Sequence, residues 1–151
     1  MATLMGEFQH YMISLKDMVD VVLVQDVAPV IVDRIENMAE VNVYAAYEPT
    51  QYIRRLTLNK DNAYDRSASG MELTIDCTVT GNPMYAPPVS EGWDPGEIAD
   101  IITSGVGYHW HNSKIYNDTQ PRPWMEPGLQ DAINDKSAER ALEQGLVAYG
   151  F

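Results

Sequence analysis

Cysteine is nearly missing from this 151-residue chain, which has only Cys77. One cysteine excludes an internal disulfide framework and suits synthesis in a reducing compartment. Basic side chains are also scarce, because 10 Lys and Arg face 22 Asp and Glu, a formal net charge of -12. Non-specific grip on DNA comes from Lys and Arg meeting phosphates, so a nucleic-acid-binding surface with sequence readout is excluded as a leading reading. Long apolar runs are missing as well, and the N-terminus lacks a cationic flank followed by an apolar core. Neither a membrane-spanning helix nor a secretory signal is read from it, and cytoplasmic synthesis is the expectation. No glycine-rich phosphate loop, nucleophile elbow or zinc-helix motif is present, so no catalysis and no cofactor are expected.

What is there is an ordinary globular composition. The chain is 45% apolar and 21% charged, which separates it from disordered sequences. At this length one domain over 1–151 is expected, and folding buries roughly 70% of the surface that the unfolded chain exposes. Residues 1–13 read as a loose N-terminal segment. From Ser14 a helix is expected, with Leu15, Val19, Val22, Val27, Ile31, Ile35 and Met38 forming one apolar stripe. Pro29 removes an internal N–H and should bend or divide that helix.

The helix should stop by Glu48-Pro49, and 51–58 then reads as a strand ending in the turn 59–62. Residues 63–68 are expected to return as its hairpin partner. The clearest strand is 71–79, where Met71, Leu73, Ile75, Cys77 and Val79 alternate with Glu72, Thr74, Asp76 and Thr78. Period two puts the first set on the core and the second towards water or a partner. Residues 81–95 hold Pro83, Pro87, Pro88 and Gly92, and form a long loop. A short helix over 95–104 follows, with Asp94 as N-cap and Gly105 as its stop. The last helix starts at Glu126-Pro127 with Leu129, Ala132, Ile133, Ala141, Leu142 and Leu146 as its apolar stripe. Gly145 should weaken its last turn. The fold class is therefore α+β: a long N-terminal helix and a C-terminal helix on a small, mainly antiparallel sheet.

Few residues offer chemistry. His109 and His111 flank Trp110 at the spacing of a two-histidine metal pair, but a metal needs a third ligand, and ordinary surface or interface histidines are the favoured reading. Cys77, on the inward face of its strand, reads as a small hydrophobe. Arg54 and Arg55 follow Tyr52 and would meet either an intramolecular carboxylate or an acidic partner chain. Trp93, Tyr108, Trp110 and Trp124 form an aromatic cluster along the second half, as core or as interface anchors. In Arg122-Pro123-Trp124-Met125-Glu126-Pro127 the prolines favour an extended approach that hands over to a helix, with Trp124 anchored inward and Arg122 free to meet an acidic neighbour.

Three segments in this order resemble the tail-completion, or head-tail joining, tail-component family of long-tailed bacteriophages. The first is the long helix followed by Tyr47-Glu48-Pro49-Thr50-Gln51-Tyr52-Ile53-Arg54-Arg55, similar to a Tyr-x-x-x-x-Tyr-x-Arg-Arg pattern. The second is Ile101-Ile102-Thr103-Ser104-Gly105 with Gly107-Tyr108-His109-Trp110, and the third is Arg122-Pro123-Trp124-Met125. The chain departs from the family in lacking a Gly-x-Leu segment after its first helix. The resemblance implies a neck protein of the virion, assembled as a commonly hexameric ring between the head connector and the tail tube proteins. It implies interface roles for Tyr52, Arg54, Arg55, Trp93, Tyr108, Trp110, Arg122 and Trp124. Glu72 and Asp76 would face a lumen through which genomic DNA passes without sequence readout, with no membrane involved. A head-side stopper, or a cytoplasmic adaptor with an aromatic pocket, is the alternative.

Overall fold

The structure is a computed structural model that describes residues 2–45, 58, 63–78, 102–105 and 120–151. It is a mostly helical α+β arrangement with one two-stranded antiparallel sheet. Four α-helices are described over their full bounds: α1 (Ala2–Val22), α2 (Ala28–Met38), α3 (Met125–Asn134) and α4 (Ser137–Ala148). The sheet is the hairpin β1 (Tyr64–Ser69) with β2 (Glu72–Cys77). Residues 102–104 are helical and lie within the short helix read from the sequence.

The first helix is continuous from Ala2 to Tyr44, but it is wound differently in two places. Leu23–Val27 and Ala39–Tyr44 are π-helical. The first bulge has a local cause. Pro29 has no N–H to donate, and its ring crowds the carbonyl one turn before it. The chain answers with a wider turn, in which the Ala28 N–H donates to the Leu23 carbonyl, five residues back. The bend expected at Pro29 is thus a π-bulge that ends at Val27, with Pro29 in the first turn of α2.

Residues 2–13, read from the sequence as part of a loose segment, are helical, because α1 begins at Ala2. Ala, Leu, Met, Glu and Gln in that segment favour helix, and Gly6 alone opposes it.

The core sits along α2. Ile31 and Val32, then Ile35, Ala39 and Val43 at steps of three or four, lie on one face, and all are buried. They meet Leu58, Ala63, Tyr64, Trp124 and Ala132. α3 crosses this stripe closely, because a Cβ at Gly128 would lie 2.6 Å from the Ile35 Cα. The glycine is what lets the two backbones approach. Gly145 does the same for α4, where a Cβ would lie 2.4 Å from Val22 Cγ1. The expectation that Gly145 merely weakens its helix misses this: the position packs α4 onto the end of α1.

The C-terminal helix is two helices. Lys136, in the left-handed conformation with φ 60°, separates α3 from α4. Pro127 stands third in α3, within the first turn, where no N–H is required. Leu129 and Ile133, expected inward, are instead exposed at 41% and 53%. The small residues Gly128 and Ala132 form the buried face.

The hairpin pairs β1 with β2, joining Tyr64 to Cys77 and Ser69 to Glu72 at its two ends. Residues 63–68 thus pair with the following strand, whereas the expected partner 51–57 and turn 59–62 lie outside the described residues. The expected alternation holds over Glu72–Cys77: Leu73, Ile75 and Cys77 are half-buried and Glu72, Thr74 and Asp76 are exposed. Val79, the loop 81–95 and most of the helix 95–104 also lie outside the described residues.

Candidate functional site

The Trp124 corner is built from five described stretches of chain. Residues 120–124 form no helix or strand, and the Arg122 N–H donates to the Ile102 carbonyl at 3.0 Å. The Asn42 side-chain amide donates to the Pro123 carbonyl at 2.8 Å, tying this segment to the end of the first helix. The Trp124 indole is fully buried and donates from Nε1 to the Tyr64 hydroxyl at 3.2 Å. Tyr64 in turn donates to the Leu58 carbonyl at 2.5 Å, and the Leu58 N–H donates to the Tyr44 hydroxyl at 2.8 Å. Every polar group of this aromatic knot that leaves water thereby finds a partner, as a stable buried network requires. Burial pushes the Tyr64 phenol well above its ordinary pKa, partly offset by the Trp124 hydrogen bond. It stays a neutral donor and acceptor.

The second feature is the outward face of the hairpin. Opposed residues in an antiparallel pair share a face, so Asp65 stands against Asp76, Ser67 against Thr74 and Ser69 against Glu72. All six are exposed. Three carboxylates on one small sheet face, two of them directly opposed, oppose the local fold through like-charge repulsion.

What holds the hairpin is a carboxylate from α1. Gly70 and Met71 form its two-residue turn, with φ of 66° and 69°. Their N–H groups both donate to Asp20, at 3.0 Å to Oδ2 and 2.6 Å to Oδ1. Two positive φ values in succession are the mirror-image turn that matches strand twist. Glycine suits the first position, but methionine at the second is strained, so the Asp20 clamp holds a conformation that the side chain disfavours.

Three further charged sites lie on the described elements. Arg34 on α2 reaches Asp135 at 2.7 Å and Asp131 at 3.6 Å, stapling α2 to α3. Hydrogen bonds from Ser137 hold the Asp135 carboxyl below the usual carboxylate range, with Arg34 and Arg140 adding to the effect. Glu36 is half-buried, and burial raises its pKa, with Asp33 adding to the rise and Arg66 opposing it. An open surface groove lies beside the Lys136 turn, lined by Asp135, Lys136, Glu139, Arg140 and Glu143. Local bonds already engage its cations: Lys136 pairs with Glu139, and Arg140 donates to the carbonyls of Asp135 and Lys136.

Of the residues singled out in the sequence, Glu72 and Asp76 are exposed on the hairpin face. Trp124 points inward as expected and is fully buried in the single chain. Arg122 is half-buried and already has a partner of its own, so it does not stand free. Tyr52, Arg54, Arg55, Trp93, Tyr108, Trp110, His109 and His111 lie outside the described residues. Among the described residues no group of three or more His, Cys, Asp or Glu side chains is placed to hold a metal ion. Cys77 is half-buried beside Tyr64 in the hairpin register, in no disulfide. Sequence reasoning missed Asp20 and Asp65. Asp65 was within reach, since it alternates with Tyr64 and Arg66 in a strand; Asp20 bonds a turn 50 residues away, for which the sequence carries no signal.

Fold and surface together define a mostly helical α+β protein with a locked aromatic corner and an acidic hairpin face. The chain belongs to the YomN family, whose model matches residues 5–148. That name is Bacillus phage-derived, and it associates the chain with bacteriophage. No curated protein and no solved structure matches the chain.

Proposed function

We propose that this phage-associated chain is a structural virion protein of the neck, a tail-completion or tail-terminator protein joining the head connector to the tail tube. The observation that carries the reading is the acidic hairpin face. Asp65, Glu72 and Asp76 stand exposed together on a chain of net charge -12, on a hairpin clamped to α1. A conduit for a duplex carrying one charge per ~1.7 Å works best with walls that do not hold phosphate, and a fixed row of carboxylates supplies such a wall. Copies would assemble as a ring, in the resemblance's case a hexamer, with DNA passing and no sequence read. The protein would stand in the host cytoplasm until assembly and in the virion afterwards. The reading involves no catalysis and no cofactor. Residues Tyr52, Arg54, Arg55, Trp93, Tyr108 and Trp110 remain the proposed subunit contacts; Trp124 supports the fold that presents them.

A head-side stopper would use the same surfaces in a different layer. The adaptor reading with an aromatic pocket is less favoured, because the Trp124 indole is closed off in the core. Mass spectrometry of purified virions tests the proposal. A fixed, small copy number per particle, with antibody label at the neck, is the expected result. Particles free of the protein would overturn it.

A further inference from the structure

The N-terminal half of α1 is nearly uncharged, and several of its described side chains are exposed. Residues 2–15 carry one formal charge, Glu7, in a chain whose net charge is -12. Apolar residues follow a four-three spacing along α1, at Leu4, Phe8, Tyr11, Leu15, Met18 and Val22. That is the heptad seam of a helix that packs against another helix. Met5, Met12 and Val19 recur beside it every seven residues and widen the face.

Exposure rises steadily along this seam. Val22 is fully buried against α4 at Gly145, and Met18 and Leu15 are half-buried. Tyr11 is then 56% exposed, and Met5 beside the seam is 71% exposed. Among the described residues, a seam that begins as an intramolecular contact thus reaches solvent by Tyr11. No helix of the described residues is long and apolar enough to cross a membrane. The exposed apolar side chains of this helix would gain from leaving water against a second helix face.

Charge selects the partner. A basic protein would be drawn to the acidic surfaces and would gain nothing from this uncharged one. Two copies of a -12 chain repel over most of their surface, and residues 2–15 are where that repulsion is weakest. We propose that the N-terminal half of α1 is a self-association helix, its heptad face packing on the same face of a second copy of this chain. The proposal does not rest on the neck reading, since any layer of a virion, or a soluble oligomer, would use it equally.

Sedimentation equilibrium of the full chain over a concentration series tests it, with Tyr11→Glu and Met5→Glu as variants. Both positions are exposed, so the circular dichroism spectrum and melting temperature at high dilution should be unchanged. The wild type is expected to rise above the 16.9 kDa of one chain as concentration increases. Each variant should weaken that association at least ~10-fold, whereas Thr74→Glu on the hairpin face should not. A wild type that stays monomeric throughout would overturn the proposal. So would variants that associate as the wild type does, or association abolished by Thr74→Glu alone.

Discussion

The two halves of the first helix make opposite use of similar residues. From Ala28 to Tyr44 the apolar side chains keep to one stripe, and Ile31, Val32, Ile35, Ala39 and Val43 are all buried. From Ala2 to Val21 the helix is equally rich in Leu, Met, Ile and Val, yet none of its described residues is buried. The difference lies in what crosses them. α3 brings Gly128 against Ile35, and glycine permits a backbone approach that no other residue would. Near its end the N-terminal half meets the rest of the described chain through Asp20 on the hairpin turn and Val22 on Gly145. Hydrophobicity alone therefore does not mark a core; a complementary surface at the right distance does.

Substitutions that break the packed half should cost most. Trp124→Ala removes the largest fully buried side chain and the indole donor to Tyr64, and should destabilise the fold by about 3–5 kcal/mol in chemical denaturation. Gly128→Ala should cost about 1–3 kcal/mol, because the added methyl meets helix backbone rather than a movable side chain. In the hairpin, Asp20→Ala leaves both turn N–H groups to water and should cost about 1 kcal/mol, these bonds being exposed. Met71→Gly at the same turn should stabilise by about 0.5–1 kcal/mol, since glycine adopts a φ of 69° without strain. If Met71→Gly instead destabilises, the clamp is not holding a strained turn. On the bare half, Tyr11→Glu should change monomer stability by less than about 0.5 kcal/mol.

Acid titration separates two carboxylates with opposite signs. Asp135 has a folded pKa below its unfolded one, so its contribution is present above the unfolded value and is lost as pH falls through the lowered value. Glu36 has a folded pKa above its unfolded one, so the folded state holds the proton more tightly and stability falls as pH rises between the two values. Glu36→Gln should therefore gain on the wild type as pH rises through that window, and the gain should vanish in acid. Denaturation curves at a series of pH values read this directly.

Local patterns carried most of the fold into the sequence. The period-two run of β2, the spacing of the α2 stripe and the break at Pro29 depend on neighbours within a turn or two. Trp124 was legible as an inward anchor because Pro123 sets the approach and the helix start follows. What was not legible depends on distant chain. Asp20 looks like one acidic residue on a solvated face until the turn at Gly70 and Met71 is brought to it. Leu129 and Ile133 look like core until Gly128 and Ala132 are seen to form the α3 contact. Gly145 looks like a weak point until Val22 is placed beneath it.

Hydrogen–deuterium exchange on the full chain, at low and at high concentration, tests most directly whether one half of the helix folds the chain and the other assembles it. Amides of Ala28–Met38 should be protected at both concentrations. Those within residues 2–15 should exchange rapidly in the dilute chain and become protected only on concentration. Equal protection of both halves in the dilute monomer, or no gain over residues 2–15 at high concentration, would contradict the account.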